Sequence, residues 1–332
     1  MMPPCIYDVH THTFLCQCAE KVMPRVYFKL ASELGYKGIA YCCHNPFPGD
    51  LVTPQHRMAY EEFELFMTMY RRECAFARIH LPELDILLTM EVDYLPDAPN
   101  LTEDFIVSHL GDFDCVLGSL HYYQEIENAC SDKEKQIKVY FETWVQALRT
   151  GWFQVMAHMD FIKVVVGMEW VRRNREVVHK HAESAITEMA KYNLAREKKG
   201  LDPVVLELNT SGSQYGDDFF PTKSLVAYAA KMNIPFCLSS DCHQASELGR
   251  NFKEALYCLK KHGVTELCYF KERRLQRYLL EDAIATFKPS CVPELVSRIK
   301  ALKGYGVSVS EELEEMKQSS LLARRSNEKS KS

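Results

Sequence analysis

Short apolar runs alternate along the chain with longer segments in which apolar residues recur every three or four positions. Seven runs are typical of buried strands and lie at 5–12, 37–44, 85–94, 114–123, 152–162, 203–211 and 234–243. Strands that alternate with helices favour a parallel sheet covered by helices. Seven apolar strands favour a closed or nearly closed α/β barrel, and an open doubly wound sheet is the alternative that the pattern alone leaves in place.

The connecting segments carry helical patterns, and the second of them is the clearest. Thr53 and Pro54 predict its start, because proline is favoured at the first helical position. One buried stripe then follows at Phe63, Phe66, Met67, Tyr70, Cys74 and Ala77. A later helix is predicted over 172–199, where basic residues precede Gly200.

The chain divides into three predicted regions. Residues 1–283 are expected to form the barrel, and 284–318 a helical extension that packs on it. The polar tail 319–332 is expected to be disordered, because it has too few apolar residues to form a core.

Composition then narrows the class of protein. The 332 residues are 47% hydrophobic and carry a net charge of -5 without a basic block, so neither nucleic acid nor a membrane is expected as a partner. Apolar runs stay shorter than the roughly 18 residues of a membrane span, and the amino terminus lacks a secretory pattern. The 13 cysteines, an odd number scattered through apolar runs, predict free thiols in a reducing, cytoplasmic setting.

Polar side chains end every predicted strand, and in a parallel barrel the carboxyl ends of the strands form the active face. They are His10 and His12, His44, Glu91 and Asp93, His121, His158 and Asp160, Glu207 and Asn209, and Asp241 and His243. A core role is the ordinary interpretation of any single histidine here, but this set holds six of the 12 histidines. Burying so many imidazoles and carboxylates without partners would cost several kcal/mol each, so the set predicts bound metal.

The first and last strands carry matching pairs. A spacing of two places His10 and His12 on one face, and Asp241 and His243 repeat that spacing. In a closed barrel these strands are neighbours, so the pairs can hold one cation and Glu91 can bridge it to a second. Such ligands favour zinc, manganese or iron over calcium or magnesium.

The order of the short motifs resembles one family. HTHT, CHNP, MEVDY, GSLH, AHMD and SSDCH occur in the order found in the PHP (polymerase and histidinol phosphatase) family. The longer stretches HTHTFLCQCAE, HNPFP, LELNTSG and LGRNF are closest to its histidinol-phosphatase branch. The resemblance covers about residues 5–270 and implies a distorted (β/α)7, TIM-like barrel with two or three divalent ions, zinc, manganese or iron.

The resemblance also implies a ligand set and a reaction. The metal ligands would be His10, His12, Cys18, His44, Glu91, His121, His158, Asp241 and His243. Catalytic roles would fall to Glu91, as the bridging carboxylate, to Asp241 and to His243, one candidate acid for the leaving group. The implied enzyme is a phosphatase that converts L-histidinol phosphate to L-histidinol and phosphate in histidine biosynthesis.

The sequence departs from the family pattern in three places. Cys18 stands where the family has histidine, and it either ligates a softer site or leaves the third ion weaker or absent. Lys163 stands where related enzymes carry arginine and would hold phosphate as a point charge. Ser213 and Gln214 replace a Leu-Arg pair, which makes the substrate less certain than the reaction class.

Substrate contacts are expected from Lys163, Asn209, Gln214 and Arg250. A structural salt bridge is an equal alternative for Arg250. Glu207 joins Asn209 as a candidate for recognising a substrate amine, and a structural tie between strand and loop is the alternative for both. Asp8 and Asp160 are expected to orient ligating imidazoles. Another small phosphate ester or nucleotide is the nearest alternative substrate. A metal-dependent amidohydrolase and an inactive metal-binding scaffold are the more distant alternatives.

Overall fold

Seven parallel strands form the centre of the protein. A computed structural model describes residues 3–47, 56–121, 131–216, 218–288 and 292–316. The strands are β1 Ile6–Asp8, β2 Tyr36–Tyr41, β3 Asp85–Asp93, β4 Cys115–Ser119, β5 Val155–Met156, β6 Val205–Asn209 and β7 Phe236–Ser239. Each strand pairs in parallel with the next, in the order β1 to β7. The predicted parallel arrangement is therefore confirmed.

The first and last strands meet, which nearly closes the sheet into a barrel. The amide of Val9 donates to the carbonyl of Leu238 at 3.3 Å, and the amide of Asp241 donates to the carbonyl of His10 at 2.9 Å. The amide of His12 donates to the carbonyl of Cys242 at 3.0 Å. Because these bonds lie at and beyond the carboxyl ends of β1 and β7, they bring the two predicted ligand pairs side by side, and the open-sheet alternative is wrong.

Helices surround the sheet. They are α1 Pro24–Glu33, α2 Phe63–His80, α3 Pro99–Ser108, α4 Lys133–Thr150, α5 Ile162–Val166, α6 Met168–Arg173, α7 Arg175–Glu197, α8 Lys223–Lys231, α9 Phe252–Lys261, α10 Leu280–Thr286 and α11 Val292–Lys300. The stripe predicted on α2 faces the core, with Tyr70 and Cys74 at its half-buried edge. Its predicted start at Thr53 and Pro54 lies outside the described residues. The helix predicted over 172–199 is interrupted at Asn174.

A second, two-stranded sheet covers the amino-terminal end of the barrel. It pairs β8, Glu266–Lys271, with β9, Arg274–Leu279, in antiparallel fashion. The Tyr269 ring stacks on Tyr7 inside the barrel at 3.6 Å between centroids. This hairpin was not predicted from the sequence, because each strand has only six residues, two of them charged, and its turn is Glu272-Arg273, both at positive φ, instead of Asn-Gly. Because the hairpin covers the amino-terminal end of the barrel, a functional site is expected at the carboxyl-terminal face.

The carboxyl-terminal segment contacts the barrel helices through buried charges. Arg25 in α1 pairs with Glu73 in α2 and, at 3.1 Å, with Glu312 in the helical residues 309–316. All three side chains are buried, so the pairing fixes this segment against α1 and α2. The predicted boundary near residue 283 stays a prediction, and the predicted tail lies outside the described residues.

Two further features concern the class of protein. The eleven cysteines within the described ranges are free. Within the described part of the chain, no helix is both long enough and apolar enough to cross a membrane.

Candidate metal centre

The carboxyl end of the barrel gathers the predicted ligands at one place. His10 and His12 follow β1, His44 follows β2, Glu91 lies in β3, His121 and His158 follow β4 and β5, and Asp241 and His243 follow β7. The first two imidazoles and both carboxylates are almost completely buried. The parallel strands thus place side chains from distant parts of the chain at one level.

Four donor atoms converge around His10 and His12. The Nε2 atoms of the two imidazoles are 3.0 Å apart. Oε2 of Glu91 lies 3.3 and 3.5 Å from them, and Oδ1 of Asp241 lies 3.6 and 3.1 Å from them. Because Nδ1 of His10 donates to Glu207, Nε2 is the ring nitrogen that faces this point.

The Glu91 carboxylate connects this group to a second one. Its Oε1 lies 2.7 Å from Nε2 of His158 and 3.5 Å from Nε2 of His121. Its Oε2 lies 2.8 Å from Nδ1 of His44. One carboxylate therefore faces two clusters of nitrogen donors, which is the arrangement of a bridging ligand.

A third group lies where β1, β2 and β7 meet. His12, His44 and His243 offer nitrogen atoms within 4.8 Å of one another. The thiol of Cys18 is within hydrogen-bonding reach of His44 and His243, and it also contacts the backbone carbonyl of His56 at 3.8 Å. Cys18, which is predicted to be a softer ligand or a bystander, thus borders the third group.

Charge and burial in the centre fit a cation. Burial alone would raise the pKa of Glu91 and of Asp241, but neighbouring imidazoles, led by His44 and His10 respectively, hold both pKa values well below the usual range. Oε2 of Glu91 and Nδ1 of His44 are buried and form no hydrogen bond within the described residues, although they are close together. Nitrogen and carboxylate donors in this number suit zinc, manganese or iron.

Two buried groups orient the imidazoles after β1, and neither role was predicted. Oε1 of Glu207 accepts from Nδ1 of His10 at 2.7 Å, and Sγ of Cys16 lies 3.0 Å from Nδ1 of His12. Glu207 was instead a candidate for recognising a substrate amine or for tying its strand to the following loop. Its carboxylate is fully buried beneath the centre, so it acts on the ligand's orientation.

Asp93 performs the same role for His121. Its Oδ1 lies 2.9 Å from Nδ1 of His121, and its Oδ2 lies 2.6 Å from the guanidinium of Arg57. Burial opposes ionisation of this carboxyl, but His121 and Arg57 hold its pKa below the usual value. Burial likewise disfavours the charged imidazole, but Asp93 and then Glu91 raise the pKa of His121 to about 9.

Asp8 and Asp160 do not play the orienting role expected of them. Oδ1 of Asp8 accepts from the backbone amides of His10 and Ser240, at 3.4 and 3.0 Å. Oδ2 of Asp160 accepts from the amide of Thr222 at 3.0 Å and from the ammonium of Lys163 at 3.2 Å. Both carboxylates tie loops to strand ends.

Lys163 and Asn209 differ from their predicted role as substrate contacts. The ammonium of Lys163 is buried, donates to Asp160 and to the carbonyl of Phe219, and lies 4.3 Å from the Phe220 ring centroid. It therefore acts inside the fold, where it lies on the short helix Ile162–Val166 that follows the end of β5. The buried amide of Asn209 donates to Glu207 and to Asp241, at 3.1 and 3.0 Å, and so positions a predicted ligand.

Gln214 and Arg250 lie together at the margin of the site. The amide oxygen of Gln214, in the orientation that satisfies both groups, accepts from Nη1 and Nη2 of Arg250, the latter at 2.8 Å. Nη2 also lies 3.1 Å from Glu247, whose carboxylate accepts from the amide of His243 at 3.1 Å. The salt bridge expected as an alternative for Arg250 therefore exists and is connected to the ligand loop after β7.

Fold and site together define a parallel α/β barrel with a histidine- and carboxylate-rich metal centre at its carboxyl face. Residues 8–211 match the PHP domain, which spans more than half of the chain, and the protein belongs to this family. The family expectation drawn from the ordered motifs is confirmed.

Individual proteins show the same relationship. The chain is 28% identical over 281 residues to the "Probable histidinol-phosphatase" of Deinococcus radiodurans, covering 81% of this chain and 98% of that protein. It is 20% identical over 278 residues to the histidinol-phosphatase of Bacillus subtilis, covering 75% and 97% of the two chains. A crystal structure of histidinol phosphate phosphatase from Lactococcus lactis, complexed with zinc, L-histidinol and phosphate, has a TM-score of 0.60 at 17% identity. It covers 82% of this chain and 98% of its own, and it shows a shared fold.

Proposed function

We propose that the protein is a metal-dependent phosphatase that hydrolyses L-histidinol phosphate to L-histidinol and phosphate. The observation that carries this proposal is the position of Glu91 between two groups of imidazoles at the open end of the barrel. The names of the relatives and the histidinol and phosphate bound by the Lactococcus protein support the choice of substrate.

Two or three divalent ions would be held by the residues of the centre. His10, His12, Glu91 and Asp241 would form one site; Glu91, His44, His121 and His158 a second; and His12, His44, His243 and Cys18 supply donors for a third. When bound, such ions activate water and neutralise charge on the phosphoryl oxygens. The donor types support zinc, manganese or iron.

Neighbouring side chains of the protein orient these donor groups. Glu207 accepts a hydrogen bond from Nδ1 of His10, and Oδ1 of Asp93 lies 2.9 Å from Nδ1 of His121, so the Nε2 atoms of both imidazoles face the centre. Asn209 holds Asp241 in place. We assign Arg250 to the substrate phosphate, because Gln214 holds its guanidinium beside the ligand loop after β7 without burying it.

Phosphate release from L-histidinol phosphate by the purified protein tests this proposal. Release that a chelator abolishes and that added zinc or manganese restores is the expected result. Phenyl phosphate serves as the comparison ester. Metal-dependent release from phenyl phosphate without release from L-histidinol phosphate would retain the reaction class and reject the substrate.

A further inference from the structure

Three aromatic side chains, Phe161, Phe220 and Tyr215, form an aromatic wall beside the metal centre. The Phe161 ring lies 5.5 Å from His121 and 5.3 Å from His158, between centroids. Phe220 follows at 5.4 Å from Phe161, and Tyr215 follows at 6.1 Å from Phe220. The wall therefore runs outward from two predicted ligands.

The inner part of the wall is held rigidly. Phe220 is fully buried, with the ammonium of Lys163 against its ring. Its backbone exchanges two hydrogen bonds with Asn209, at 2.8 and 2.9 Å. A side chain at Gly212 would place its Cβ 2.6 Å from the backbone carbon of Phe219, so glycine permits the close approach that positions the turn before Tyr215.

Tyr215 is the part of the wall that a ligand can reach. Its side chain is 43% exposed, in contrast to the buried Phe220. Burial of part of the ring, then the charges of Asp241 and Glu247, raise the pKa of Tyr215, whereas Arg250 opposes them. The hydroxyl consequently lies within electrostatic range of a metal ligand and of the assigned phosphate contact.

We infer that Tyr215, with Phe161 deeper in the site, stacks against a flat ring in the organic part of the substrate. A phosphate at the metal centre leaves the organic part of the ester facing the mouth of the site, where Tyr215 lies. Rings stack favourably on tyrosine at centroid distances like those within the wall. Tyr215 is thus a specificity-determining residue for esters that carry an aromatic or heteroaromatic ring, and this inference rests on the proposed phosphatase activity.

The test measures kcat/KM for two pairs of esters, one member with a ring and one without. L-Histidinol phosphate is compared with O-phosphoethanolamine, and 2-phenylethyl phosphate with ethyl phosphate. The proteins are wild type, Tyr215→Phe, Tyr215→Ala and the control Tyr257→Ala, which removes an exposed tyrosine from α9. Tyr215→Ala is expected to lower kcat/KM for the ring esters about 3- to 10-fold, mainly through KM, while the ringless esters change little. Tyr215→Phe and Tyr257→Ala are expected to match wild type.

The inference would be overturned if Tyr215→Ala lowered kcat/KM equally for the esters with and without a ring, or lowered it for neither. A selective loss in the phenylethyl pair without turnover of L-histidinol phosphate would support the role of Tyr215 and reject the proposed substrate. Turnover of L-histidinol phosphate that Tyr215→Ala leaves unchanged would support the substrate and reject the role of Tyr215.

Discussion

Oε1 of Glu207 accepts a hydrogen bond from Nδ1 of His10 at 2.7 Å, and both side chains are fully buried. The same carboxylate also accepts from the hydroxyl of Ser239, from the amide of His158 and from the side chain of Asn209. Four donors surround two oxygens, so only a carboxylate satisfies them all. This residue sets the direction from which His10 approaches the metal centre.

Glu207→Gln is therefore expected to weaken metal binding although it preserves size. In either orientation, the NH2 group of the new glutamine faces groups that are themselves hydrogen-bond donors. The resulting repulsion is expected to displace His10. Loss of a group that orients a ligand typically costs about 10- to 100-fold in metal affinity or activity. Competition with a chromogenic zinc chelator measures the affinity, and exposed Glu103→Gln on α3 is the matched control. Wild-type zinc affinity in Glu207→Gln would contradict the orienting role.

Glu91→Ala is expected to abolish turnover while the fold stays largely intact. The substitution removes both oxygens that face the two groups of imidazoles, but it leaves the barrel's apolar core unchanged. Phosphate release, metal content by mass spectrometry and far-ultraviolet circular dichroism are measured on the same preparation. Glu103→Ala serves as control, and full activity in Glu91→Ala would refute the bridging assignment.

Cys18→Ser is expected to lower the content of one metal ion. The thiol lies within reach of His44 and His243, and a hydroxyl is a poorer ligand than a thiolate for zinc. Metal stoichiometry measures the change, and cobalt-substituted protein adds a second readout, the charge-transfer absorption of a thiolate–cobalt bond. Cys74→Ser, at a half-buried thiol on α2, is the control. An unchanged stoichiometry and absorption would show that Cys18 does not ligate.

Asp85→Asn is expected to lower the free energy of unfolding at neutral pH, and this difference from wild type is expected to disappear in acid. Burial disfavours the charged carboxylate, but Lys271 and Tyr7 bond it, so the pKa of Asp85 lies below its ordinary value of 3.8. A carboxyl group whose pKa is lower in the folded state stabilises the folded protein at pH values above its unfolded-state pKa. This contribution is lost as the pH falls through the folded-state pKa.

Urea unfolding of wild type and Asp85→Asn from pH 7 downward measures the difference in unfolding free energy. The two proteins should differ most at neutral pH and converge as the pH falls below about 3.8. A difference that grows on acidification would contradict the sign of the shift.

The convergence of four predicted ligands could be expected from the sequence because it depends on two simple regularities. A period of two places alternate residues on one face of a strand, and parallel strands place their carboxyl ends together. His10, His12, Glu91 and Asp241 follow these regularities and meet as expected.

The contacts around the ligands could not be predicted in this way. Glu207 and Asp93 act across strands, so their partners depend on the register of the sheet. Lys163 and Asn209 turn to buried carboxylates, and nothing in the local sequence fixes those directions. The β8–β9 hairpin was missed because apolar periodicity and turn type were the signals used, and it follows neither.

Metal titration of the metal-free protein, with phosphate release from L-histidinol phosphate measured at each addition, is the decisive experiment for a metal-dependent phosphatase. Activity should be absent without metal and should rise with zinc or manganese until the ions of the centre are bound. Glu91→Ala, treated identically, should remain inactive at every addition. Phosphate release by the metal-free protein, or full metal loading without any release, would contradict the assignment of a metal-dependent histidinol phosphatase.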